Sequence, residues 1–221
     1  MAPVAWVRYT PGMERTRLGW RAGMVVVAAL VTAVVAAPAT AADEPMQRAK
    51  VATVGVSVAY PSEWTEIPMT RKDQRALEGR LFKQDPDLAE QAFAAAEALD
   101  KSTRFHAIQL GEVPQGFHDA VRVGLLPARF PTDSDIAAYV AGLERQGYTV
   151  SWIRDVIGRE TVFRITAAKD STSPDGTTAR VLVGRLLVRH GKRTTAIDTR
   201  TLDDDTGRAL TDAILDGVQL V

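Results

Sequence analysis

Residues whose types and spacing could support chemistry fall in four places. Gly55-Val56-Ser57-Val58-Ala59 comes within one residue of Gly-x-Ser-x-Gly, the pattern that raises a serine nucleophile on a sharp strand-to-helix turn. Here the serine lies inside an alternating apolar run and no helix pattern follows, so it reads as a small residue on a packed sheet face. Glu63 and Glu66 flank Trp64, and a carboxylate pair beside an aromatic is what a sugar hydrolase requires. Two acids on one turn are usually solvated, and nothing in the spacing fixes their separation. His106, His118 and His190 stand far apart, outside any His-x-x-x-His or Glu-x-x-His arrangement. The chain has no cysteine, so a metal site would have to assemble ligands from distant strands. Asp203-Asp204-Asp205 lacks the alternating Asp-x-Asp-x-Asp-Gly loop and distal glutamate of a calcium site, and reads as a helix cap. No phosphate loop or Gly-x-Gly-x-x-Gly appears. The residues therefore predict no catalytic group, no metal ligand and no cofactor. Tyr60, Trp64 and Trp152 remain, with Tyr148, as aromatics that line either a binding surface or the core.

The bulk composition is that of an ordinary globular domain. Hydrophobic residues make up 46% of 221, enough to bury a sizeable core. Basic and acidic residues balance at 27 each over the whole chain. Residues 42–221 alone hold 23 basic and 26 acidic residues, so this part has no electrostatic footprint for nucleic acid.

The N-terminus has the grammar of an export signal. Arg15, Arg17 and Arg21 precede an apolar run from Met24 to Ala37, followed by Pro38-Ala39-Thr40-Ala41-Ala42. The expectation is a signal peptide over residues 1–41, cleaved between Ala41 and Ala42 or one residue later, with Met13 an alternative start. The alternative is a retained N-terminal membrane anchor, for which the run is shorter than the roughly 20 residues that span a bilayer. Without a cysteine at the cleavage site, lipid attachment there is chemically excluded, so the product is secreted or wall-associated and not a lipoprotein.

The elements that must position these residues follow from periodicity. Val54, Val56, Val58 and Tyr60 share one face of a predicted strand, with the small Gly55, Ser57 and Ala59 on the other. That small face predicts a helix lying close against it. Pro61 ends the strand, and Thr65 to Met69 is read as its hairpin partner. Arg71–Lys83 predicts a short helix, and Asp85-Pro86 opens a second, alanine-rich one. Strands are expected at 105–110 and 120–126, then a helix after Thr132, whose pairing with Asp135 approximates a capping box. Gly147 should stop that helix. Four strands follow in hairpin succession, the last pair turning at His190-Gly191-Lys192, and a closing helix carries Leu210, Ile214 and Val218. Residues 42–221 are thus expected to form one α+β domain, an antiparallel sheet of about six to seven strands with helices packed on its faces as an α/β/α sandwich.

The strand Val56-Ser57-Val58-Ala59-Tyr60 followed by Pro61-x-x-Trp64, with this order of elements after it, resembles the PsbP-like or Mog-like fold. That group includes the extrinsic photosystem II protein, the Ran-binding Mog proteins and exported actinobacterial Lpq-type (LpqN-like) proteins, the last being the nearest in kind. The resemblance implies a non-enzymatic binding or accessory protein of the cell envelope, partnered by an envelope protein or an apolar ligand, and it carries no catalytic residues. The residues leave two alternatives beside it: an extracytoplasmic carrier of an apolar small molecule or lipid, and a hydrolase built on scattered acids. A carrier predicts an internal cavity of several hundred cubic ångströms. A hydrolase predicts Glu63 or Glu66 beside a second acid or a histidine. A binding protein predicts an exposed apolar patch or an unpaired edge strand.

Overall fold

A computed structural model of the chain describes residues 45–221 apart from 112, 114, 115, 174 and 175. The export segment and its Ala41–Ala42 cleavage site lie outside these residues. In chain order the elements are β1 (Met46–Val51), a single 3-10 turn at Ala52–Val54, β2 (Val56–Pro61), β3 (Thr65–Glu66), α1 (Arg71–Leu81), α2 (Pro86–Glu97), β4 (Thr103–Ile108), β5 (Ala120–Leu126), α3 (Asp133–Arg145), β6 (Thr149–Ile157), β7 (Glu160–Thr172), β8 (Thr178–His190), β9 (Arg193–Leu202), α4 (Asp205–Asp216) and β10 (Gln219–Leu220).

The helices start where the sequence supplies caps. The Asp85 carboxylate accepts from the Asp87 N–H, with Pro86 at the first helical position. Thr132 and Asp135 form a complete reciprocal capping box on α3. Asp204 accepts from the Gly207 N–H at the start of α4. Asp203, beside it, is held below the usual carboxylate range by its hydrogen bond from Arg208, then by Arg180, so the Asp-rich run is a helix start and an ion-pair hub.

All strand pairings are antiparallel. Seven strands form one sheet in the order β3-β4-β5-β9-β8-β7-β6, and three form a second, in the order β1-β2-β10. Successive side chains point to opposite faces, so each strand of the large sheet serves two layers. On one face, Phe105, Val121, Val123, Leu186, Val188 and Ile197 meet α4 (Leu210, Ile214, Leu215) and the small sheet (Val56, Val58, Tyr60). On the other, Phe163, Ile165, Leu187 and Ala196 meet Ile136 and Val140 of α3. The α1–α2 hairpin packs on Ile67, Ile108 and Leu110 at the β3–β4 end.

The opening strand differs from its sequence reading in three respects. First, Val54 sits in the 3-10 turn and Gly55 closes it at φ 68, in the left-handed region, so the strand begins at Val56. Second, β2 does not pair with 65–69: β3 pairs with β4 in the large sheet. The partners of β2 are β1 and β10 on its two sides, which makes it the centre of a sheet and not an edge. Third, the covering layer beside α4 is itself a sheet, so the α/β/α description holds for the helices and omits this layer. The expected close helix is present at Ala59. A methyl added to Gly217, just past α4, would come within 2.9 Å of the Ala59 Cβ.

Candidate functional site

The large sheet has two unequal edges. At one end β3 is two residues long. At the other β6 runs for nine residues, and among the described residues no strand pairs with its outer side. The β6–β7 hairpin turns at Gly158-Arg159, with Gly158 at φ 63 and Ile157 facing Glu160 as the closing pair. In a two-residue hairpin that pair is hydrogen-bonded, and the pattern alternates from there. Ile157, Asp155, Ile153, Ser151 and Thr149 therefore turn their backbone groups to β7. Val156, Arg154, Trp152 and Val150 turn theirs outward. The Val156 N–H is met by the Asp155 carboxylate at 2.7 Å. The outward backbone groups of Val150, Trp152 and Arg154 have no strand to accept them.

The side chains on this edge are unusually apolar for an open strand. Ile153 is 53% exposed and Val156 60%. Trp152 is half-buried, its ring 6.0 Å from that of Phe163, which in turn stacks on Phe130 at 5.4 Å. The tryptophan is thus rigidly seated with part of its surface at the edge. Arg154 forms an exposed ion pair of 3.5 Å with Asp133 at the start of α3, a contact of little energetic weight.

The other aromatic candidates are placed differently. Tyr60 is 1% exposed and Trp64 4%, both inside the core beneath α4 and the small sheet. They present no binding surface. Tyr60 packs its ring 5.3 Å from Phe105, and its hydroxyl donates to Glu66. Burial, then the Glu66 carboxylate, pushes the Tyr60 phenol well above its ordinary value. Tyr60 is core because β2 is buried along its whole length, and Trp64, in the turn just after Pro61 closes that strand, packs into the same cluster.

The hydrolase geometry is not formed. Glu66 is occupied by Tyr60, Glu63 is exposed, and neither meets a second acid or a histidine in a hydrogen bond or ion pair among the described residues. Ser57 is buried on β2 and accepts from Arg48 at 3.2 Å. His106 and His118 bond through Nδ1 to the carbonyls of Val121 and Gln109. Burial pushes both imidazoles down, that of His106 to about 4. Among the described residues no group of three or more His, Asp or Glu could hold a metal, and no buried side-chain nitrogen or oxygen lacks a partner that a ligand would supply. Among the described residues the best-formed pockets fall far short of the cavity expected of a carrier. The two best-formed pockets enclose about 20 Å³, between Tyr139, Tyr148 and Arg185, and about 10 Å³, between α1 and α2. Each holds little more than one water. No helix among the described residues is long and apolar enough to cross a membrane.

No family model matches the chain, and no curated protein matches it. Solved structures do. The chain is similar to the Ran-binding protein Mog1p of Saccharomyces cerevisiae, at a TM-score of 0.45 and 10% identity over 80% of this chain and 96% of that one. It is similar to cyanobacterial PsbP from Synechocystis, at 0.46 and 11% over 80% and 92%. It is also similar to LpqN of Mycobacterium tuberculosis, involved in cell envelope biogenesis, at 0.41 and 10% over 81% and 87%. At these identities the likeness is one of fold, and it falls in the group that the Pro-x-x-Trp strand resembles.

Proposed function

We propose that the chain is an exported, non-catalytic binding or accessory protein of the cell envelope, and that it recognises an extended segment of a partner protein by adding it as a strand along β6. The observation that carries this reading is the edge itself: nine residues, outward backbone groups without a strand partner, and Ile153 and Val156 exposed on opposite faces. Exposed edges are usually shortened, charged or covered to prevent pairing with other chains. The free edge of β1 follows that rule, carrying the exposed Lys50 and Arg48, the latter bonded to Ser57 and the Gly217 carbonyl. The β6 edge does not. In strand addition the backbone bonds supply affinity, and alternate side chains supply specificity. Here Trp152 and Arg154 would read the incoming segment from one face and Ile153 from the other. Export rests on the signal-peptide grammar of residues 1–41, and N-terminal sequencing of the released chain should read from Ala42 or Asp43.

The test uses proline placement. Arg154→Pro removes an outward N–H and leaves the β6–β7 ladder intact, as proline on an edge strand allows. Wild-type chain and Arg154→Pro are each used to capture proteins from an envelope extract. A partner retained by wild type should be lost by the variant, and should slow hydrogen exchange at Val150, Trp152 and Arg154. Equal capture by both, or protection elsewhere with none on β6, would remove the edge from the function.

A further inference from the structure

Helix α1 carries a second surface, remote in sequence from β6 and opposite in character to the rest of the domain. Residues 71–83 hold five cations (Arg71, Lys72, Arg75, Arg80, Lys83) and two acids (Asp73, Glu78), whereas the remainder of 42–221 holds 18 basic and 24 acidic residues. The only buried residue of α1 is Leu77. With about 100° between successive helical residues, Arg71, Lys72, Arg75 and Phe82 fall on the side away from Leu77. Asp73 and Glu78 fall on the flanks nearer the core. Phe82 keeps helical dihedrals at the C-cap, and Lys83 follows it. The outward face is therefore cationic without an intervening acid.

Two further features give this face a direction. Among the described residues no ion pair or side-chain hydrogen bond engages Arg71, Lys72, Arg75 or Lys83, although ion pairs are frequent elsewhere, as at Arg164, Arg180 and Arg208. Apolar side chains are also left in solvent beside them. Phe82 is 63% exposed, and Met69, just before the Thr70 N-cap, is 41% exposed. A soluble polyanion would satisfy the cations and leave Phe82 and Met69 in water. A lipid surface satisfies both, since headgroup phosphates take the cations and the acyl boundary takes the apolar side chains.

We propose that the outward face of α1 is a docking surface for an anionic lipid bilayer, with Arg71, Lys72, Arg75 and Lys83 on headgroup phosphates and Phe82 entering the interface. The acidic remainder of the domain is repelled by the same surface, so the contact also orients the molecule, with α1 toward the lipid. The proposal is independent of the β6 reading, because the two surfaces share no residue.

The experiment is flotation of the full chain with vesicles of phosphatidylcholine alone and of phosphatidylcholine with phosphatidylglycerol, at low and high salt. The measured quantity is the excess partitioning onto the anionic vesicles. The excess includes any attraction of Arg15, Arg17 and Arg21 ahead of the apolar run at 24–37, so the share of α1 is the part that substitutions on α1 remove. The expected result is a salt-sensitive excess that falls about fivefold for each charge removed in the series Arg71→Gln, Lys72→Gln, Arg75→Gln and Lys83→Gln. Phe82→Ser should lower it about tenfold with the charges intact. All five side chains are exposed, so circular dichroism should be unchanged. Equal partitioning onto both vesicle types would overturn the proposal, as would an excess that the fourfold variant leaves unchanged. Binding of a DNA duplex equal to that of the anionic vesicles, with Phe82→Ser without effect, would also overturn it, by reducing the face to charge alone.

Discussion

Strand β9 sends Thr195, Ile197, Thr199 and Thr201 toward α4 and the small sheet, and Ala196, Asp198 and Arg200 toward the layer of α3. The two sets are held in place by different forces. Beneath α4 the polar atoms are threonine hydroxyls that bond locally: Thr195 to the Val54 carbonyl, Thr201 to the Gly207 carbonyl at 3.0 Å, and Thr201 with Thr211. The approach there is close. A methyl at Gly207 would lie 2.0 Å from the Leu202 carbonyl oxygen, so α4 can rest on the strand only with glycine at that position. Beneath α3 the centre is a buried ion pair. Arg185 and Asp198 are each 5% exposed and meet through two bonds of 2.5 and 3.0 Å, with a third from Arg185 to the Tyr139 hydroxyl. Burial opposes the Arg185 charge, and Asp198 more than restores it. One face is thus stabilised by removing apolar surface from water. The other, beside its own apolar cluster, also depends on buried charges remaining matched, Arg185 and Asp198 with Arg122 3.5 Å from Asp198, which is a weaker source of net stability and a greater hazard when broken.

This contrast can be broken from either side. The largest effect is expected at Asp198→Ala, which leaves the Arg185 guanidinium buried without its counter-charge and should cost about 3–5 kcal/mol in urea unfolding. Replacing both partners, as Arg185→Met with Asp198→Leu, should recover most of that loss. A double variant as unstable as the single one would show that the ion pair stabilises this face in its own right. Ile214→Ala on the opposite face should cost about 3 kcal/mol, within the range for emptying a fully buried aliphatic site, and no second substitution of charge should rescue it. Acid should act on the α3 side through His106. Its folded value of about 4 lies below the usual 6.5, so the unfolded chain binds the proton first and stability is lost as pH falls through that window. By pH 5 the loss should be about 2 kcal/mol. His106→Gln should show a smaller fall of the unfolding midpoint from pH 7 to 5 than wild type, and equal falls would assign the acid lability to other groups.

Much of this architecture was legible because it is locally specified. The Asp85-Pro86 start, the Thr132–Asp135 box, the Gly147 stop and the 193–202 strand all appear where the sequence marks them, since caps and tight turns are set by residues within four positions of each other. The small sheet was not legible. In β1, Met-Gln-Arg-Ala-Lys-Val leaves only Val51 buried, so alternation gave no signal, and β10 is two residues whose role depends on a partner about 160 positions away. The aromatic candidates show the same limit. Tyr60, Trp64 and Trp152 look equivalent in sequence, and only strand order separates the two in the core from the one at an edge. The α1 face was present in the sequence as a run of cations, but its meaning required knowing that Leu77 alone is inside.

Strand β2 has its two neighbours at opposite ends of the described chain, β1 just before it and β10 at the end, where the Val221 N–H donates to the Gly55 carbonyl. A chain delivered N-terminus first, from a ribosome or through a membrane pore, can form the β6–β9 meander early. It cannot finish the layer that covers Val56, Val58 and Tyr60 until residues 219–221 have emerged. Completion of this layer therefore waits on a segment about 160 residues after its partner, and deleting residues 219–221 should leave the small sheet open on one side.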